Sequence, residues 1–371
     1  MEVETFYGQD SETGRWLNPM RALWGLDSRQ EMSPVLEERL CYTATMTGSY
    51  EATAQVAAKW GVETDDSTIH AHVQLAGGRA KALRADRIER ALSSETREEV
   101  VREAAEDLPP GPFSLVLMMD GWHVRERGAD WGLKPREKPG DRVDWREMKT
   151  AIVFRLEHRC ESESGRRIIV EKQYEACRGD HDEFGRVVYA EALRRGLNQA
   201  ERVYVVADGG VWIWKIVADR FSDATGVLDF YHASQHLWAV ARALYEDERQ
   251  CRRWVERYLH NLAHGGESKL HKALARLEAQ FKKRKDEPWE TLKRTRKYFE
   301  DHRDHLHYEQ VESQGCPKGS GAMESTCAQF QNRFKRTGQF WTSPGEKNLL
   351  LLELARRNHD WDEIWRQPLV A

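Results

Sequence analysis

Two short, unbroken apolar runs stand out along a chain whose hydrophobic residues otherwise recur at helical spacing. The first, SLVLMMDGW (114–122), follows the breaker run LPPGP (108–112) and ends in Asp120 and a glycine; the second, RVYVVADGG (202–210), ends in Asp208 and two glycines. Runs of this length between breakers read as buried strands. Asp120 is followed by a charged, glycine-bearing stretch, WHVRERGADWGLKPREKPGDRVDWRE, expected to be a loop. Strands are expected at KTAIVFRLEHR (149–159) and RRIIVEKQYEA (166–176), then an amphipathic helix over 182–198. After Asp208 come a short helix, WIWKIVADRF (212–221), and a strand, GVLDFYH (226–232). The order strand, strand, strand, helix, strand is that of a ribonuclease H-like core. In that core the first and fourth strands lie side by side, which would bring Asp120 and Asp208 within reach of one metal ion.

From Trp238 to Gln310 the composition is charged and helix-forming with no strand signal, so an all-helical insertion is expected there. At its end, GSGAMESTC (319–327) sets Glu324 in the first turn of a helix for which Ser320 is the expected cap. The N-terminal stretch SYEATAQVAAKWGVETDDSTIHAHVQLAGG (49–78) predicts two helices joined by a turn at Gly61 and Val62. Ala54, Ala57 and Ala58 form a small packing face on the first helix, and Asp65 or Asp66 caps the second. Ile69 and Val73 pack inward, while Thr68, His70, Ala71 and Gln74 face outward, as in a helix-turn-helix that enters the major groove.

The fold class expected is thus α/β: a ribonuclease H-like core, a five-stranded mixed sheet with flanking helices, interrupted by a helical insertion and preceded by a helical, helix-turn-helix-like region. The segments are 1–33 as an N-terminal extension, 34–106 as the DNA-binding region and 107–237 as the first part of the core. The insertion spans 238–310, the core resumes over 311–345 with the third acid, and a C-terminal helix covers 346–371.

Of the 371 residues 40% are hydrophobic, ordinary for a globular chain. No apolar run approaches a membrane span and the N-terminus is too polar for a signal peptide, so no membrane partner and a cytoplasmic, nucleoid-associated location are expected. Six scattered cysteines without a C-x-x-C pair suggest neither a zinc ribbon nor a disulfide framework. The net charge of -4 argues against coating nucleic acid through bulk positive charge. Contacts to DNA must then come from local patches. Arg79, Lys81, Arg84 and Arg87 follow the paired helices, and FKKRKDEPW (281–289) with TLKRTRKYF (291–299) makes the insertion basic, with Lys282, Lys283, Arg284 and Lys285 as expected phosphate contacts. In NRFKRTGQFW (332–341), Arg333, Lys335 and Arg336 are candidates for phosphate contact, with Phe340 and Trp341 as a stacking surface. His302, His305 and His307 read as a solvated polar face, His236 as a histidine of the helix–sheet interface, and Trp212 and Trp214 as core; Trp122 stands beside Asp120.

Four blocks, MMDGWHVRERGADWG, VVADGGVWIW, LDFYHASQHLW and GSGAMESTCAQFQNRFKRTGQFW, together resemble the DDE transposases of bacterial insertion sequences, most closely the ISKra group, over residues 110–345. The resemblance implies a catalytic triad of Asp120, Asp208 and Glu324 holding two Mg2+ ions per active site, with Mn2+ as an alternative. It further implies double-stranded DNA as partner, both transposon ends and target, and a homo-oligomer assembled on DNA. Two magnesium ions supply both an activated nucleophile and a stabilised leaving oxygen, and hard oxygen ligands suit them. Similar families carry an acid or cysteine followed three residues later by histidine after the second Asp, here Asp229 and His232, with His232 a candidate catalytic contact to the scissile phosphate. Other readings of the same residues are a non-mobile DNA-binding protein descended from a transposase, another ribonuclease H-like nuclease, or a two-carboxylate glycosidase, which would need no third acid.

Overall fold

The computed structural model describes residues 8–14, 16–18, 20, 32–108, 110–132, 142–165, 167–281 and 286–366. Lys282, Lys283, Arg284 and Lys285, and most of the extension 1–33, lie outside the described residues. In chain order the elements are β1 (Gly8–Gln9), β2 (Trp16–Leu17), α1 (Pro34–Met46), α2 (Tyr50–Lys59), α3 (Asp66–Leu92) and α4 (Arg97–Glu106). Next come β3 (Ser114–Arg127), β4 (Val143–Arg155), β5 (Arg159–Glu161), β6 (Arg167–Ile169), β7 (Gln173–Cys177), α5 (His181–Arg194), β8 (Arg202–Ala207), α6 (Val211–Arg220) and β9 (Thr225–Leu228). The remainder is helical: α7 (Phe230–Leu244), α8 (Glu248–Ala263), α9 (Glu267–Phe281), α10 (Glu287–Asp301), a 3-10 turn (Arg303–His305), α11 (Tyr308–Ser313), α12 (Gly321–Phe334), α13 (Ser343–Arg357) and α14 (Trp361–Arg366).

The chain divides into two compact units, residues 86–340 and residues 1–85 with 341–371. The larger unit holds a five-stranded mixed sheet in the order β7-β4-β3-β8-β9, with β3, β8 and β9 parallel and β4 antiparallel to both β3 and β7. This is the ribonuclease H-like order. Alternation along the strands gives the sheet two faces. One, with Leu115, Leu117, Met119, Val205 and Ala207, buries against α5 and α6 through Phe184, Val188, Ile213 and Val217. Met118, Asp120 and Trp122 occupy the other face of β3, where Trp122 stacks near Phe330 and Phe334 of α12 at ring distances of 6.4 and 6.2 Å.

Two expected boundaries differ. β3 does not stop at Asp120 but runs on to Arg127, paired throughout with β4, which begins at Val143. The cause lies in the alternation beyond Asp120: Trp122, Val124 and Glu126 are buried while His123 and Arg127 are exposed. That two-residue period is a half-buried strand, although its polar residues suggested a loop. The expected strand 166–176 is split instead: β6 pairs with β5 in a small separate hairpin, and only β7 joins the main sheet. From α7 to α11 all described elements are helical, as expected of an insertion.

In the smaller unit Asp65 is the cap of α3, its Oδ1 accepting the Thr68 N–H at 2.7 Å. Ile69 and Val73 are fully buried. The packing face of α2 is Thr53 and Ala57, whereas Ala58 is exposed. Gln74 is not free to face outward: its Oε1 accepts from Asn348 Nδ2 at 2.7 Å. Gly77 fits tightly beside the same Asn348, since a Cβ there would meet the Asn348 backbone at 2.8 Å. Arg79 is likewise internal, paired with the buried Glu37 at 3.2 Å and lying 4.5 Å over the Trp365 ring. Among the described residues no helix is long and apolar enough to cross a membrane, and all six cysteines are free.

Candidate active site

Asp120 and Asp208 meet because of register. Met119 on β3 lies opposite Ala207, the last residue of β8, so the next position along each chain is an acid, and the charge of Asp208 acts on Asp120. Each is held locally: Asp120 Oδ1 accepts the Gly121 N–H at 2.6 Å, and Asp208 Oδ1 accepts the Gly210 N–H at 2.8 Å. The Asp208 carbonyl accepts from Trp214 Nε1 at 2.9 Å, which fixes the turn into α6. Burial raises the Asp120 carboxyl above its usual range, and the negative charge of Asp208 adds to the rise against the opposing Gly121 hydrogen bond.

The third acid arrives on α12. Glu324 is exposed in the first helical turn, where the helix dipole favours a carboxylate. One turn later the buried Cys327 lies against Asp120, and its thiol is pushed up by burial first, then by the charges of Asp120 and Glu324. The start of α12 is fastened by Asp229, which is wholly buried at the end of β9. Its Oδ2 accepts the Ser320 hydroxyl at 2.6 Å and the Ser320 N–H, while its Oδ1 accepts the His232 N–H at 2.8 Å. Ser320 therefore stands at the cap position of α12 but spends its hydroxyl on Asp229 rather than on its own helix. Burial pushes the Asp229 carboxyl upward, yet the bonds from His232 and Ser320 outweigh it and bring it down to about 2. His232 Nδ1 stands 3.3 Å from Asp229 Oδ1. That close contact with Asp229 raises the imidazole against the effect of burial, and the charges of Asp208 and Glu324 add to it.

Tyr298 on α10 is a residue of the site that the sequence did not signal. The expectation was that the insertion serves contacts and not the chemistry. α10 lays the Tyr298 ring over Gly209, where any Cβ would collide with it, and stacks it on His236 at 3.8 Å. Burial, then the charges of Asp208 and Asp229, push the phenol up. Its hydroxyl has no hydrogen-bond partner among the described residues. His236 is half-buried against Tyr298 of α10, and His302 and His305 do not form a solvated face. His302 is buried and its Nδ1–H donates to the Tyr298 carbonyl at 2.7 Å, and His305 stacks on Trp214 at 3.9 Å. Burial and the neighbouring His302 bring His305 down to about 4.

The basic patch after Glu324 is only partly available. Arg333 is buried against Phe334, and Trp341 is buried too, because the last turn of α12 and the chain after it pack inward. Lys335 is half-buried over the exposed Trp145 at 5.4 Å, and Arg336 is exposed. Phe340 sits 4.7 Å from Trp131, with Arg125 5.0 Å from its ring. In the smaller unit Thr68 is half-buried and His70 exposed, with its ring 5.4 Å from Tyr50.

The donor chemistry of two aspartates and a glutamate fits a hard divalent cation, which would also relieve the repulsion that raises Asp120. The three side chains do not form a closed cage: among the described residues no three His, Cys, Asp or Glu groups stand close enough to hold an ion.

A family model described as an uncharacterised protein family, UPF0236, matches residues 142–364, more than half of the chain. No curated protein matches it. Among solved structures, the Drosophila P element transposase strand transfer complex is similar at 12% identity over 94% of this chain and 83% of that one, with a TM-score of 0.26. The ribonuclease H-like assignment rests on the strand order alone.

Proposed function

For this chain, which belongs to the uncharacterised protein family UPF0236, we propose the function of a DNA transposase that cuts and joins phosphodiesters through Asp120, Asp208 and Glu324. The observation that carries the reading is the register that makes an acid the next position after the paired Met119 and Ala207 of two neighbouring parallel strands, beside a helix whose first turn carries a third. The four sequence blocks resembling insertion-sequence transposases add to it.

In this reading Asp120, Asp208 and Glu324 hold two Mg2+ ions, with Mn2+ as the substitute, which when bound supply Lewis acidity to the attacking and leaving oxygens. His232, held by Asp229, donates a hydrogen bond to the scissile phosphate. Lys335 and Arg336 neutralise flanking phosphates. Thr68 and His70 on α3 approach the bases of a transposon end, and two or more copies assemble on the DNA.

The test is a nicking and strand-transfer assay on duplexes carrying the ends of the element, with Mg2+. Wild type is expected to nick and join, and Asp120→Asn, Asp208→Asn and Glu324→Gln each to lose at least about 10²-fold in rate. Nicking without joining points to a ribonuclease H-like nuclease. Nicking that survives all three substitutions removes the triad.

A further inference from the structure

The outer flank of the insertion carries a groove that the chemistry above does not use. Between α8 and α9 lies a cavity of about 430 Å³, floored by Trp254 and Tyr258 and rimmed by Arg257, Lys269, Lys272 and Arg276. The arrangement follows from helical periodicity. Cys251, Val255 and Leu262 of α8 and Leu270, His271 and Leu274 of α9 turn inward to the bundle. Trp254, Arg257, Tyr258 and Asn261 then fall together on the neighbouring stripe of α8, and Lys269, Lys272 and Arg276 on that of α9. Gly265, at φ 64°, makes the tight turn between them.

Two features point to a ligand. The four rim cations are exposed, and among the described residues no carboxylate lines the groove and none of the four makes an ion pair. On α10, by comparison, Arg296 pairs with Glu278 and Lys297 with Asp301. The second feature is the floor, where the half-buried Trp254 and Tyr258 rings stand 4.8 Å apart and tilted by 55°. An acidic peptide would use the rim but not the floor, and an apolar segment the reverse.

We propose that the α8–α9 groove binds single-stranded DNA, its rim cations meeting successive phosphates and its two rings stacking a base. A duplex keeps its base faces stacked inside and can offer the floor nothing, whereas an unpaired strand offers both a charged backbone and a free π-face. The inference rests on the reading that this protein handles DNA, in which unpaired strand is exposed at a cut end.

The experiment measures binding of the full chain in EDTA, with Asp120→Asn as background, to a fluorescent single strand and to the matching duplex by anisotropy across a salt series. Cleavage plays no part in that readout. Lys269→Ala/Lys272→Ala/Arg276→Ala is expected to weaken single-strand binding about tenfold or more and to lower the magnitude of its log–log salt slope by about 2, at about 0.7 per lost contact. Tyr258→Leu, which keeps an apolar group in the floor, is expected to cost about tenfold on the single strand and to leave the duplex unchanged. Unaltered melting temperatures show that the variants fold. Unchanged affinity and slope, equal losses on duplex and single strand, or a stronger preference for single-stranded RNA would each overturn the proposal. A wild type that cleaves and joins DNA while the groove variants bind normally would overturn the groove alone. A wild type that binds through the groove but never nicks would overturn the transposase reading alone.

Discussion

Asp229 links three stretches of chain: its carboxylate ends β9, caps α7 through the His232 N–H, and receives Ser320 at the start of the helix bearing Glu324. Its folded value of about 2 lies below the ordinary 3.8, so it contributes stability that is complete above about pH 4 and is lost as pH falls toward 2. A shift of that size in a fully buried group corresponds to about 2 kcal/mol. Asp229→Asn is therefore expected to lose about 2 kcal/mol at pH 7 and to flatten the acid limb of stability, read by urea melts from pH 7 to 2; an unchanged acid limb would refute the assignment. Tyr298 makes a different case. Its ring is packed but its hydroxyl has no partner among the described residues, so Tyr298→Phe should be neutral or stabilising within about 1 kcal/mol. Gly209→Ala, which drives a Cβ into that ring, should cost about 1–3 kcal/mol. Thermal melts decide both, and a Tyr298→Ala background should recover part of the Gly209→Ala loss because the two share one space.

Among the elements, the extension of β3 past Asp120 has the largest consequence. It turns Asp120 from the last residue of a strand into an interior one, with backbone on both sides paired to β4. At Gly121 a Cβ would come within 2.8 Å of Glu147 Oε1, the tip of a flexible side chain that can swing aside. Trp122 then anchors α12: it is 3% exposed, donates from Nε1 to Thr150 Oγ1 at 2.9 Å and faces Phe330 and Phe334. Trp122→Ala is expected to cost about 3–5 kcal/mol, and hydrogen exchange in α12 should rise with it. Protection of α12 that stays at wild-type level would show that this contact does not hold the helix.

For the molecule as a whole, the C-terminal helices join the N-terminal ones in one unit, residues 1–85 with 341–371. α13 packs beside α1, and Trp361 of α14 meets Tyr42 edge-on at 5.0 Å and donates to Glu38 Oε1 at 3.2 Å. The unit of residues 86–340 has its own sheet and its own core. A chain trimmed to those residues should unfold in one cooperative transition and keep metal-dependent nicking, while losing sequence-selective binding that depends on Thr68 and His70. Circular dichroism and the nicking assay test both parts, and a trimmed chain without a cooperative melt would contradict the division.

The sequence by itself determined the parts of this protein that depend on local periodicity. Its apolar runs marked β3 and β8, the breaker run before Ser114 set the start of β3 and the glycines after Asp208 the end of β8, and the helix-forming composition from Trp238 to Gln310 marked the helices that follow β9. Ile69 and Val73 were legible as inward positions because a helix repeats its faces at fixed intervals. What only the tertiary structure decided was the partner of each polar side chain. Gln74 looked like an outward residue until Asn348, far away in sequence, took its amide, and Arg333 looked like a phosphate contact until α12 turned it inward. Tyr298 had no local mark at all. It belongs to the site because α10 packs where Gly209 leaves room for a ring, and such a fit is a property of two surfaces, neither of which the residues around it in sequence can show.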